Sequence, residues 1–207
     1  MKNRTILALA VAGALAAACA GMKASDEQRT QQTVVMLKAS FKERGQAKLD
    51  RIDQDDMQRL CSQYEGKPMP KEVTDRLEKA QQALIKYPAD GVLMGDFKSG
   101  ERIAQSGQGK QFNDDPSRPA GANCYACHQL SKTELSFGTI GPPLYNFGKI
   151  RGYTPEMQKY AYSKVYNSQA FSACSNMPRF GHNGILTEAQ IKDVVALLMD
   201  PKSPINQ

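Results

Sequence analysis

The pentapeptide CYACH at positions 124–128 constrains this 207-residue chain more than any other feature. Cys124 and Cys127 are spaced so that each thiol can form a thioether bond with a vinyl group of one haem, and His128 follows directly so that its imidazole can reach the iron. A structural zinc site would need two more ligands, yet the chain has one other histidine and no second Cys-x-x-Cys pair. A thioredoxin-like site would need a βαβ setting. We therefore expect one covalently bound haem c.

A second axial ligand is expected in the segment SNMPRFG, which is rich in Asn, Pro and Gly and lies between two predicted helices. A thioether ligand raises the reduction potential of haem iron, and Met177 is the predicted distal ligand. His182 and Cys174 are the alternatives, because imidazole and thiolate also bind haem iron. Met157 and Met199 lie within helical patterns, and we interpret them as core side chains.

Two further residues are candidates for contacts around the haem. The segment GTIGPPLYNFG follows the CYACH motif, and its Pro142 can offer a backbone carbonyl to the imidazole N–H of the proximal histidine, which would fix the ring. An ordinary tight turn is the alternative for this segment. Arg179 can pair with a haem propionate through a charge-assisted hydrogen bond, or it can be a solvated surface side chain.

The N-terminal residues 1–20 have the pattern of a secretory signal peptide: a short positive segment, MKNR, precedes an Ala-rich apolar run. Cleavage after Ala20 fits the preference for small residues at such sites. The alternative is a lipidated Cys19, although Ala16 stands where a lipoprotein signal prefers a larger aliphatic residue. We expect soluble export to the periplasm, with membrane attachment only if Cys19 is lipidated.

The rest of the chain is divided into a helical N-terminal extension at 21–94 and a cytochrome c domain at 95–207. No segment alternates polar and apolar residues for long, which predicts an all-α protein. The formal net charge is +6, and Lys2 and Arg4 in the signal segment contribute two of these charges. No dense basic run is interleaved with aromatic residues, so the sequence gives no support to nucleic-acid binding.

Several helix boundaries follow from local signals. A helix is predicted at about 71–86. Thr154 before Pro155 is typical of a helix start, since Thr caps the first turn and Pro suits the first helical position. Thr187 and Gln190 form a capping-box pattern at the start of the last helix.

Cys61 and Cys174 remain once the haem motif and the signal segment have taken the other cysteines. An exported protein matures in an oxidising compartment, and parity leaves one intramolecular pairing, so we predict a disulfide. Two buried free thiols are the alternative. Because Cys174 lies three residues before Met177, the bond would restrain the loop that carries the predicted distal ligand.

Three segments together resemble SoxX, the small haem subunit of the SoxAX cytochrome complex of bacterial thiosulfate oxidation. The resemblance covers about 95–207, and it is carried by NCYACHQL, GTIGPPLYNFGKIRGY and ACSNMPRFGHNGILTEAQIKDVVALLMDPKSPIN. The segment 22–94 is longer than the corresponding part of the shortest SoxX proteins.

The resemblance implies a periplasmic heterodimer with a SoxA-type cytochrome subunit. That complex is an L-cysteine S-thiosulfotransferase, which couples thiosulfate oxidatively to a cysteine of the SoxYZ carrier, with the sulfur chemistry on SoxA. This chain would accept the electrons and pass them to a downstream cytochrome c. The implied iron ligands are His128 and Met177, and the implied thioether residues are Cys124 and Cys127.

The sequence independently favours electron transfer over catalysis in this chain. A His/Met iron has no open coordination position, and we find no paired carboxylates or nucleophile–base pattern, so no catalytic residue is assigned. The alternatives are a free-standing periplasmic electron shuttle and a haem sensor with a displaceable ligand. The expected fold is a class I cytochrome c domain, in which Gly100 lets the first helix cross the last one. Ile103 would pack beside it, against three residues of the last helix: Val194, Leu197 and Leu198.

Overall fold

A computed structural model describes residues 25–207. The predicted signal peptide and Cys19 lie outside the described residues. The chain divides into two compact units, one that ends at Lys42 and one that spans Glu43–Gln207. In the first unit, helix α1 covers Asp26–Ser40, and its start is fixed by a capping box in which Ser25 and Gln28 bond to each other's backbone N–H groups.

The second unit is built from helices joined by loops. Its α-helices are α2 (Asp56–Gln63), α3 (Lys71–Ala83), α4 (Phe97–Gln105), α5 (Phe147–Arg151), α6 (Pro155–Tyr166) and α7 (Glu188–Met199). Short 3-10 helices cover Leu49–Ile52, Cys124–Ala126, Ser168–Ala170 and Pro204–Asn206. Within residues 25–207 the only β-pairing is an isolated bridge between Arg44 and Ala47. The all-α prediction is confirmed.

The predicted helix starts are present. The Thr154 side chain accepts a hydrogen bond from the Met157 N–H at the start of α6, and Thr187 and Gln190 form the capping box of α7. The helix predicted at about 71–86 ends earlier, at Ala83. There the Leu84 N–H bonds back to the carbonyls of the last turn, and the chain leaves the helix ahead of Pro88.

Helices α4 and α7 cross at close range through Gly100. A Cβ atom added at Gly100 would overlap the backbone carbonyl of Asp193 and press on the Leu197 side chain. Only a residue without a side chain permits this approach, as the sequence predicts. The Gly95 N–H also bonds to the Lys192 carbonyl at 2.9 Å, so the start of α4 is held on α7 by hydrogen bonds as well as by packing.

The main core surrounds α7. Its fully buried residues include Leu130, Tyr162, Ile191, Val195 and Leu197, all with 1% or less of their surface exposed. Met199, one of the two methionines predicted to be core side chains, is 1% exposed. The other, Met157, is partly buried against this core.

The C-terminal tail closes this core through buried polar side chains. The Ser203 hydroxyl donates to the Leu197 carbonyl at 2.6 Å. The Asn206 amide donates to the Leu198 carbonyl at 3.1 Å and accepts from the Gly148 N–H at 3.0 Å. These bonds satisfy carbonyls at the end of α7 and the first turn of α5, which gives the PKSPIN segment a structural role.

Residues 43–94 pack with the cytochrome domain in the same compact unit. The Ala173 N–H donates to the Glu78 carboxylate at 3.0 Å, and the Gln82 amide donates to the Ala170 carbonyl at 2.8 Å. Helix α3 is thereby joined to the segment that follows α6. Among the described residues, no helix has the length and apolar character needed to cross a bilayer.

Candidate haem site

The CYACH motif lies on a single tight turn. The Asn123 side chain accepts a hydrogen bond from the Ala126 N–H at 3.1 Å, which caps the 3-10 helix Cys124–Ala126. The N–H groups of Cys127 and His128 then both bond to the Cys124 carbonyl, at 3.1 and 2.9 Å. Both cysteines are free thiols. The turn therefore brings two unpaired thiols and an imidazole together over five residues.

Burial determines the environment of the Cys124 sulfur. Burial, and secondarily the neighbouring Cys127, raise the pKa of the Cys124 thiol to about 11. The Cys124 side chain packs against the main core. Packing therefore positions this sulfur.

The imidazole of His128 is held by the loop that follows. Its Nδ1 lies 2.7 Å from the Pro142 carbonyl oxygen, and the N–H on Nδ1 donates to that carbonyl. The other ring nitrogen, Nε2, is thereby left as the acceptor that binds a metal. A Cβ atom at Gly141 would overlap the imidazole ring, so Gly141 lets the backbone close over it. The Gly141 N–H also bonds to the Cys127 carbonyl at 2.8 Å.

Met177 lies on the ligand loop, which we define as residues 173–181. Its side chain is partly buried and packs against the main core. Its carbonyl accepts a 2.5 Å hydrogen bond from the Ser168 hydroxyl, and its N–H donates to the Ser175 hydroxyl at 3.2 Å. The backbone on both sides of the thioether is thus fixed by polar contacts.

Of the two alternative distal ligands, Cys174 is excluded and His182 is not. Cys174 is bonded to Cys61, with a Cα–Cα distance of 5.6 Å, and a disulfide sulfur offers no thiolate to iron. The backbone N–H of His182 donates to the Tyr166 carbonyl at 3.0 Å. Burial, and then the nearby Arg179 charge, lower the pKa of the His182 imidazole. Met177 and His182 remain as distal candidates.

Arg179 is buried and paired with residues from two other segments. It is 6% exposed, so it is not a solvated surface side chain. Its guanidinium forms a 2.6 Å ion pair with the Asp55 carboxylate and donates to the Gln81 side chain at 3.4 Å. A propionate contact stays a prediction. The contacts described here join the ligand loop to the start of α2 and to α3.

Sequence reasoning missed three residues that shape this region. Asp55 and Gln81 are distant in sequence from Arg179, and no local pattern pairs them. The signal for Gly141 was present in the GPP segment directly after the motif, where a glycine precedes the prolines.

A family model for cytochrome c matches residues 108–201. A relative from Aquifex aeolicus (strain VF5), described as an uncharacterized lipoprotein, is 33% identical over 213 residues, and the match covers 100% of both chains. Residues 108–201 therefore form a cytochrome c domain, and over its full length the chain belongs to one family with the Aquifex aeolicus protein.

As a cytochrome c, the protein carries covalently bound haem c and functions in electron transfer. The donor set fits this group: two free thiols on one turn and an imidazole whose Nδ1 is already engaged by Pro142. When bound, haem c supplies one-electron exchange between ferric and ferrous iron. Among residues 25–207, no cluster of three or more His, Cys, Asp and Glu side chains could hold a separate metal ion.

Proposed function

We propose that this cytochrome is the electron-transfer subunit of an exported SoxAX-type complex, which couples thiosulfate to a cysteine of a SoxYZ-type carrier. The proposal depends on the resemblance of three segments to SoxX. It gives the chain one haem c with His128 and Met177 as axial ligands, and it places the sulfur chemistry on a SoxA-type partner.

One observation supports electron transfer in this chain and sulfur chemistry in the partner: both candidate ligands are held in place. The His128 ring is fixed by Pro142 at 2.7 Å, and Met177 lies on a loop whose backbone is held by hydrogen bonds. Fixed ligands on both sides suit an iron that changes oxidation state without changing its coordination. A substrate would need an open position at the metal. The arrangement therefore supports a relay of electrons and not a site for thiosulfate.

The proposed overall reaction balances. The carrier cysteine thiol and the outer sulfur of thiosulfate form one S–S bond, and one proton and two electrons are released. A downstream cytochrome c takes up the electrons. Because a single haem accepts one electron at a time, two successive transfers through this chain complete each turnover.

Exposed apolar side chains support a partner on this protein. Between the haem motif and Pro142, Leu135 is 96% exposed, Ile140 77% and Phe137 38%. Three apolar residues so close together are more typical of a surface covered by a ligand or a protein than of the polar rim of a free-standing shuttle. We propose that this stretch contributes to the haem crevice and to contact with the partner subunit.

The relative from Aquifex aeolicus bears the name of a lipoprotein, and this supports export of the present chain as well. It also supports the alternative in which Cys19 becomes a lipidated N-terminus after signal cleavage. We therefore propose that the protein acts on the outer side of the cytoplasmic membrane, attached through Cys19. A Cys19→Ala variant should then be released from the membrane fraction, and an unchanged distribution would restore the soluble-export prediction.

The test of the partner is purification of the tagged protein from native cells, followed by haem staining of the denatured subunits. Co-purification of a second c-type cytochrome supports the complex. A single haem-staining band, with full electron transfer to a soluble cytochrome c, would instead indicate the free-standing shuttle. Carbon monoxide binding to the reduced protein would favour the sensor class.

A further inference from the structure

A buried ion pair lies beside the loop that carries the distal ligand. Arg179, two residues after Met177, has 7% of its side chain exposed, and its Nη2 lies 2.6 Å from Oδ2 of Asp55. The Gln81 side-chain oxygen lies 3.4 Å from Nη1 of Arg179 and accepts a second bond from Asn167 at 2.9 Å. The guanidinium is thus held by two helices that precede the cytochrome motif in the sequence.

The opposite end of the ligand loop is attached to the same segment. Cys174, three residues before Met177, is bonded to Cys61 of α2. Asp55 is the residue that caps α2. Both attachments therefore lead to one short helix, and they flank Met177 on its two sides.

We propose that Asp55 and Arg179 are positioning residues for the distal ligand: their ion pair and the Cys61–Cys174 bond together hold Met177 at the iron. The inference rests on the proposed assignment of Met177 as an axial ligand. A buried charge whose partner is removed is strongly destabilised where it stands. Loss of the ion pair also removes the contact that joins the ligand loop to the start of α2. Only one residue separates Arg179 from Met177, so the distal ligand should be held less firmly even when no unpaired charge remains.

The variant Asp55→Asn separates this role from helix capping. Oδ1 of Asp55 accepts the Gln58 N–H at 2.8 Å, which is the cap of α2, while Oδ2 binds Arg179. Asparagine is as good a capping residue as aspartate, so the cap is retained. The negative charge and the acceptor that face Arg179 are lost, because the amide nitrogen of asparagine takes the place of Oδ2.

A matched control is available in the same compact unit. Asp90 forms a 3.1 Å ion pair with Lys192 of α7. These residues are also more than a hundred positions apart in the sequence, and they lie outside the ligand loop. Asp90→Asn removes one carboxylate from a long-range pair without affecting the surroundings of Met177.

The readout is the dissociation constant of exogenous imidazole for the ferric holoprotein, since imidazole binds only when the distal ligand leaves. We expect Asp55→Asn to bind imidazole at least tenfold more tightly than wild type, while Asp90→Asn stays within twofold. The double variant Asp55→Asn/Arg179→Gln, which leaves no unpaired charge, should also bind at least tenfold more tightly.

The outcomes distinguish the inference from the proposed function. If wild-type ferric protein lacks the near-infrared sulfur-to-iron band, the Met177 assignment fails, and the positioning role fails with it. If the band is present but Asp55→Asn binds imidazole like wild type, the positioning role alone is overturned. If Asp55→Asn binds imidazole more tightly but the double variant binds it like wild type, the effect comes from the unpaired charge. That result would also overturn the positioning role.

Discussion

Removal of the Cys61–Cys174 bond should cost the protein several kcal/mol of stability. The two cysteines are separated by 113 positions in the sequence. A cross-link reduces the conformational entropy of the unfolded chain, and for a loop of this length the chain-entropy model gives about 5 kcal/mol. Native disulfides of small exported domains contribute about 2–5 kcal/mol when measured. We therefore expect Cys61→Ala/Cys174→Ala to lower the free energy of unfolding by about 3–5 kcal/mol.

The assay is urea unfolding of the holoprotein, followed by far-UV circular dichroism. Both cysteines are changed together, so that no free thiol can compete with the haem motif. Wild-type protein treated with a reductant is the control, because it loses the cross-link and keeps both sulfur atoms. Equal losses in the two samples would assign the effect to the bond.

A loss below about 1 kcal/mol would refute the reasoning, since it would mean that the bond does not restrict the unfolded state. The bond itself is checked by alkylating the unfolded, non-reduced holoprotein and measuring its mass. Labels at both Cys61 and Cys174 would show that the two thiols are free.

Three other predictions concern the ligand, the helix crossing and pH. Met177→Ala should keep covalent haem but lose the near-infrared sulfur-to-iron band and lower the reduction potential, because the thioether favours ferrous iron; an unchanged spectrum would shift the assignment to His182. Gly100→Leu should impair haem retention, because a side chain there overlaps the Asp193 carbonyl; a stable holoprotein would contradict the close crossing. Burial first, and the Arg179 charge second, lower the pKa of His182, while Asp55 acts to raise it. Because the folded protein favours the neutral imidazole, His182 contributes to folding stability above its unfolded pKa of about 6.5. This contribution is lost as the pH falls through the lower pKa of His182 in the folded protein. Urea midpoints should drop from pH 7 to pH 5 in wild type, and less in His182→Gln.

The parts of the site that depend on neighbouring residues could be predicted from the sequence. The turn of Cys124, Cys127 and His128 is local, and the Pro142 carbonyl follows it closely along the chain, so spacing alone indicated both. The capped starts of α6 and α7 were equally accessible, since each depends on a few consecutive residues.

Contacts between distant segments were less accessible. The ion pair of Arg179 with Asp55 was not predicted, because the sequence around Arg179 does not reveal a carboxylate more than a hundred positions away. For residues 43–94, the charged and Gln-rich composition predicted helices, and the Cys61–Cys174 pairing was the signal in the sequence that linked them to the cytochrome domain. Hydrophobic periodicity identifies helices, but it does not identify the surface on which a weakly apolar helix packs.

The way α2 and α3 are attached explains why the ligand loop should respond before the whole fold does. Their buried apolar side chains are Met57 and Leu77, which pack with Ala173 in a small separate cluster. Two such side chains contribute about 3–6 kcal/mol, comparable to the disulfide alone. Two directional contacts, the disulfide and the Asp55–Arg179 pair, therefore supply much of the attachment of α2 and α3 to the domain. They also specify the position of the ligand loop. Loss of the pair should consequently change imidazole affinity more than the global unfolding midpoint, because the main core around α7 does not depend on it.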